Sequence, residues 1–159
     1  MNASLHRLLH ASIHDGARLR GARVSVFRHN DPRSLEARLK RDGGAKLVVV
    51  DAVYSMDGDV AALPELLAVT RRHGAVLLVD QAHATGVLGA TGRGISEHFE
   101  LGGEDFLCVG TLSKALASVG GYFAGPRKVV EYVRHYARSA MFSTALPPRP
   151  TAAAVAALE

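Results

Sequence analysis

The stretch "AKLVVVDAVYSMDGDVAALPELLAVTRRHGAVLLVD", residues 45–80, decides the fold. It opens with "AKLVVVDAV" (45–53), a continuous apolar run of the kind that forms a strand buried on both faces of a parallel sheet. "ALPELLAVTRRHGA" (62–75) is an amphipathic helix pattern that stops at Gly74. "AVLLVD" (75–80) is a second buried strand. Strand, helix and strand in this order make a βαβ unit with a right-handed crossover.

The same alternation continues outward. "ARVSVFR" (22–28) reads as a strand by its β-branched alternation. "DPRSLEARLKRDGG" follows as a helix, with Asp31 as N-cap, Pro32 in the first turn and Gly43 past the end. Downstream, "EDFLCVG" (104–110) and "GGYFAG" (120–125) read as strands, and "PRKVVEYVRHYAR" (126–138) as a helix with Pro at its start. The expected fold is α/β: a mostly parallel open sheet with helices on both faces.

Composition narrows the classes. The 159 residues are 48% hydrophobic and 21% charged, a globular balance with enough chain for one core. The single cysteine, Cys108, excludes a disulfide framework and a cysteine-based zinc site, and it fits a reducing cytoplasm. The net charge of +4 is modest, and bases alternate with acids as in "RSLEARLKRD", so no nucleic-acid stripe is evident. No apolar run approaches the roughly 20 residues of a membrane span. "MNASLHRLLHASIHDGARLR" is too polar to be an apolar signal segment.

In an open parallel sheet, ligands bind beyond the carboxyl ends of the strands. "DAVYSMDGD" with Ser55, "VDQAHATG" with Asp80 and His83, and "GTLSK" with Thr111 and Lys114 all follow strands. Asp80 ends an apolar strand, where a carboxylate needs a cation or a cap to offset its desolvation. His83 lies three residues on, on the same face if a helical turn starts there. "DQAH" also resembles a helicase DEAH box, but no GxxxxGK[ST] loop occurs and Gln81 removes the second carboxylate. His6, His10 and His14 recur at helical spacing and would share one face; this reads as a polar face with one functional histidine rather than a metal site. Lys114 sits among Leu112, Ala115, Leu116 and Ala117, so a desolvated amine of lowered pKa is expected there. An amine, a carboxylate, a histidine and several hydroxyls together suit pyridoxal 5′-phosphate.

At this level the sequence resembles the α-oxoamine synthase family of fold-type I pyridoxal-phosphate enzymes. The motifs are "LLHASIHDG", "FRHNDPRSLEARL", "VYSMDGDVAALPEL", "LLVDQAHATGVLGATGRG", "GTLSKALASVGGYFAG" and "FSTALPP". The resemblance implies that Lys114 binds the cofactor's aldehyde and that Asp80 pairs with its ring nitrogen. It implies that His83 and Ser55 reach the phenolic oxygen, that His10 stacks on the ring and that Thr111 binds the phosphate. Ser143 and Thr144 resemble the segment that reaches the phosphate of a partner subunit's cofactor, which implies a homodimer with shared sites. The implied reaction condenses an amino acid with an acyl-CoA, in the cytoplasm, with no nucleic acid and no membrane segment in this chain. Within the family the 8-amino-7-oxononanoate synthase branch, which serves biotin biosynthesis, is favoured. Serine palmitoyltransferase-like and glycine C-acetyltransferase-like branches are alternatives. A different class of reading is an inactive domain that only binds cofactor or dimerises.

Two departures accompany the resemblance. Gln81 stands where the family usually has an acid, which leaves the ring counter-ion Asp80 in place. The chain is about half the family's usual length, so 1–148 is expected to be the central part of the large domain and 149–159 the start of a further helix or domain.

Overall fold

A computed structural model describes residues 2–6, 9–102 and 105–159. Leu8 of "LLHASIHDG" and Glu104 of "EDFLCVG" lie outside the described residues. The chain forms two compact units, Met1–Asp80 and Gln81–Glu159.

The first unit holds β1 (Asn2–His6), α1 (Ala11–Leu19), β2 (Arg23–Phe27), α2 (Pro32–Leu39), β3 (Lys46–Asp51), α3 (Leu63–Arg72) and β4 (Val76–Asp80). Its four strands are all parallel, in the order β2-β1-β3-β4. Val48, Val49 and Val50 are consecutive and all buried, so β3 is covered on both faces, as its unbroken apolar run requires. On one face Ala3, Leu5 and Val49 pack with Ile13 and Ala17 of α1. α2 and α3 pack against each other. They bury Leu35, Leu39, Leu63, Leu66 and Leu67, each such side chain contributing about 1.5–3 kcal/mol.

The helix ends follow from the sequence. Asp31 Oδ1 accepts from the Ser34 N–H at 2.9 Å and caps α2. This helix ends at Leu39, short of Gly43, because the Arg41 N–H turns back to the Arg38 carbonyl. α3 has no cap of its own. Asn30 serves it, accepting from the Ala62 N–H at 2.8 Å.

The N-terminus differs from expectation. His6, His10 and His14 share no helical face: His6 closes β1 and is fully buried, His10 is the N-cap of α1, and His14 lies within α1. The cause is the place of β1 between β2 and β3. Its inward residues alternate apolar Ala3 and Leu5 with polar Ser4 and His6, a weak strand pattern. Ser4 is satisfied by the Ser25 hydroxyl at 3.1 Å.

The second unit holds α4 (Ile95–His98), β5 (Leu107–Thr111), β6 (Gly121–Ala124), α5 (Arg127–Tyr136), α6 (Arg138–Met141) and α7 (Pro148–Ala156). β5 and β6 pair antiparallel. Gly110 sits in β5 because the Tyr122 ring lies over it, and any Cβ there would strike that ring. Gly94, at φ 84°, is pressed against the Gln81 side chain in the same way.

Candidate active site

Parallel strands put their carboxyl ends on one edge, and in the first unit three of these ends deliver candidate residues. Register pairs Asp51 with Asp80 at the ends of β3 and β4. Asp80 is half-buried there, and its carbonyl accepts from the Ala52 N–H at 2.7 Å. Just past β1, His10 is exposed, with Nδ1 at 2.8 Å from the Ser12 hydroxyl and accepting from the Ser12 N–H at 3.4 Å. Its Nε2 is therefore the protonated nitrogen of the neutral ring.

Past β3 the chain makes a tight hairpin. Val53 and Val60 bridge antiparallel, the Ala61 N–H donates to the Ala52 carbonyl at 3.0 Å, and the Gly58 N–H donates to the Tyr54 carbonyl at 2.7 Å. Ser55 lies exposed at its tip. Tyr54, next to it, is buried, with its ring 4.3 Å from that of His6 and 4.6 Å from that of His29. Burial pushes the Tyr54 hydroxyl well above its ordinary pKa, and the Asp51 and Asp59 carboxylates add to this.

In the second unit, Thr111 closes β5 and opens a turn. Its hydroxyl donates to the Gly120 carbonyl at 3.1 Å, accepts from the Ser113 N–H at 3.1 Å, and meets the Ser113 hydroxyl at 2.7 Å. With its proton given to Gly120, Thr111 accepts from Ser113 as well. Lys114 follows on this turn, whose Ala117 N–H returns to the Lys114 carbonyl at 2.9 Å. The turn buries Leu116 and leaves Lys114 exposed, so the desolvated lysine expected from its apolar flanks is not found. Those flanks serve the turn's own packing.

His83 is half-buried in a turn rather than a regular helix, where the Ala84 and Thr85 N–H groups both donate to the Gln81 carbonyl at 3.0 Å. Ser143 and Thr144 lie exposed between α6 and α7. Gln81 is buried and structural. Its side chain accepts from the Ile95 N–H at 2.9 Å and donates to Cys108 Sγ at 3.2 Å, while its own N–H donates to the Val109 carbonyl at 2.8 Å. A carboxylate at this position could not donate to the thiol, which burial pushes up in pKa.

Sequence reasoning missed His29, Asp51 and Asp59, and it placed His6 only on a helical face with His10 and His14. Asp51 was legible only as the last residue of an apolar run. The others meet across about two dozen residues or more, with no local spacing to betray them.

Residues 2–159 match the family model described as aminotransferase class I and II. The 8-amino-7-oxononanoate synthase of Geobacter sulfurreducens is 52% identical over 155 residues, 96% of this chain and 40% of that protein. That of Thermoanaerobacter pseudethanolicus is 47% identical over 154 residues, 95% of this chain and 39% of that protein. Among solved structures, serine palmitoyltransferase of Sphingomonas wittichii matches 99% of this chain and 40% of its own at TM-score 0.92 and 40% identity. The chain therefore spans about two fifths of the length of these relatives. No helix among the described residues is long and apolar enough to cross a membrane.

Proposed function

The chain belongs to the aminotransferase class I and II family, and from that premise we propose that it supplies the central part of the large domain of a pyridoxal-phosphate enzyme joining an amino acid to an acyl-CoA. The observation that carries this reading is the carboxyl edge of the first unit, where parallel strands deliver His10, Ser55 and Asp80 together. The residues fit the cofactor by their chemistry: a carboxylate for a ring-nitrogen cation, an imidazole ring to stack, and hydroxyls for a phosphate. Lys114 supplies an exposed primary amine, three residues beyond Thr111.

When bound, pyridoxal phosphate draws electrons from an attached amino acid and makes its α-proton acidic. The chain's own residues bind and orient. Asp80 holds the ring nitrogen's proton by its charge. His83 and Ser55 hydrogen-bond the phenolic oxygen. His10 presents a flat ring whose tilt is set by Ser12. To meet the phosphate, Thr111 would exchange its bond to the Gly120 carbonyl for one to a phosphate oxygen, and the exposed Ser113 would turn its proton from Thr111 the same way. Ser143 and Thr144, both exposed, reach a second copy's phosphate, which makes the working unit a homodimer. In the reaction the amino acid's α-carbon would lose its proton and bond to the acyl carbonyl carbon as the thioester C–S bond breaks and CoA leaves as the thiol; the α-carboxylate would then depart as carbon dioxide, a proton taking its place on the α-carbon. The enzyme works in the cytoplasm.

The product named by the relatives supports a substrate choice. In 8-amino-7-oxononanoate, C8 bears the amino group and C9 is its methyl, which together are alanine without its carboxyl carbon. The remaining seven carbons are a chain ending in a free carboxylate. These 159 residues by themselves should not transfer acyl groups, whereas a protein containing them with both domains complete, supplied with pyridoxal phosphate, alanine and heptanedioyl-CoA, should release free CoA and carbon dioxide. The serine palmitoyltransferase likeness, at TM-score 0.92, favours a second reading in which serine and palmitoyl-CoA are consumed instead. Cofactor bound without CoA release from either pair would leave only an inactive binding domain and would refute both.

A further inference from the structure

The hairpin that carries Ser55 is tied to the rest of the first unit by one polar chain. His6 Nε2, at the end of β1, lies 3.0 Å from His29 Nδ1. His29 Nε2 lies 2.9 Å from Asp59 Oδ2 and 4.0 Å from Asp57 Oδ2. Asn30 donates its amide to Asp59 Oδ2 at 3.1 Å and to the Val60 carbonyl at 2.9 Å.

Hydrogen-bond direction fixes the protons. The backbone N–H of Asn30 donates to His6 Nε2 at 3.2 Å, so that nitrogen is an acceptor. His29 Nδ1 must then bring a proton to it, since two lone pairs at 3.0 Å would repel. At the other end Asp59 Oδ2 accepts the Asn30 amide and faces His29 Nε2 at 2.9 Å. The Asp57 and Asp59 carboxylates and the His29 ring nitrogen lie within 4.8 Å of one another, so two acids of the hairpin face this one imidazole. The groups facing His29 are His6 from β1, Tyr54, Asp57 and Asp59 from the hairpin, and the adjoining Asn30.

We propose that His29, bridging His6 and Asp59, is the positioning residue that holds the 53–60 hairpin and thereby sets Ser55 against the cofactor's phenolic oxygen. This rests on the pyridoxal-phosphate reading given above. His29 itself touches no reacting atom. It acts through Asp59, whose carbonyl accepts the Tyr54 N–H at 3.0 Å, one residue before Ser55.

The test compares the protein with His29→Phe, which keeps a ring beside Tyr54 but donates nothing, and Asp59→Asn, which keeps the shape and removes the charge. Hydrogen exchange at the Tyr54 and Gly58 amides should speed by about tenfold or more in both variants, the loss of a charged hydrogen bond. The absorption of bound pyridoxal phosphate and its pH dependence should shift as in Ser55→Ala, and His29→Phe should add nothing to Ser55→Ala. Unchanged exchange in His29→Phe, or in Asp59→Asn should His29→Phe fail to fold, overturns the inference. So does a spectrum that moves in Ser55→Ala but not in the His29 or Asp59 variants, while the cofactor reading stands. If the parent protein takes up no pyridoxal phosphate, the cofactor reading falls and this role falls with it.

Discussion

The hairpin after β3 and the turn after β5 each carry a candidate site residue at a strand exit, and they are held in place differently. Ser55 is fixed from a distance: His6, His29, Asn30 and Asp59, from three separate stretches of chain, converge on its loop. Lys114 is fixed locally. Thr111, Ser113 and Gly120 bond among themselves within ten residues, and Lys114 itself stands in water. A hydroxyl that must meet one oxygen needs its loop held rigid. A long flexible lysine that bonds covalently to its ligand needs only a fixed Cα, because the bond supplies the rest of the geometry. The same contrast runs through the units. The first buries Leu5, Leu35, Leu63 and Tyr54 completely, whereas α5 in the second buries no residue and exposes the stacked Tyr132 and Tyr136 at 63% and 69%.

The sharpest way to break the comparison is at Asp80, whose proposed role is to hold the cofactor's ring-nitrogen proton by its charge. Asp80→Asn keeps its shape and should slow exchange of the amino acid's α-proton by orders of magnitude, since breaking a buried ion pair costs about 3–5 kcal/mol. Near parental exchange, followed by proton NMR in deuterium oxide, would remove Asp80 from the site. Gly110→Ala tests the locally built unit. A methyl group there strikes the Tyr122 ring, and overpacking of this kind costs about 1–3 kcal/mol, read as a fall in the urea midpoint.

A third prediction uses pH on the distantly braced unit. Burial, with the neighbouring His29 charge, lowers the His6 pKa from 6.5 to about 4. Below about pH 6.5 the unfolded chain therefore binds a proton that the folded chain refuses. Stability is full above that pH and falls as pH drops toward 4, by about 2 kcal/mol at pH 4.5. His6→Gln should lose that part of the slope in urea titrations at pH 7.5 and 4.5. An identical slope would place the titration elsewhere. The smallest effect is at Asp31, where Asp31→Ala removes the cap on Ser34 and should cost about 1 kcal/mol.

What the sequence made legible follows from the range of each signal. β2, β3, β4, α2 and α3 were readable because period, caps and breakers all lie within the element. Asp31 caps where its position before Pro32 says it should. The chemistry at the strand ends was readable for the same reason, since an apolar run ending in Asp80 or Thr111 marks its own edge. β1 was not, because polar Ser4 and His6 occupy inward positions and only partners from elsewhere in the chain satisfy them. The exposure of Lys114 was not legible either. Small apolar neighbours in sequence pack a turn as readily as they line a pocket, and here Leu116 takes the buried place.

The central claim is that Lys114 is the amine that takes the cofactor. Borohydride reduction of the protein with pyridoxal phosphate, followed by peptide mapping, tests it most directly. The account predicts a pyridoxyl group on the peptide containing Lys114, and no yellow absorption or label in Lys114→Ala. A label on Lys46 or Lys128, or full labelling of Lys114→Ala, would contradict it.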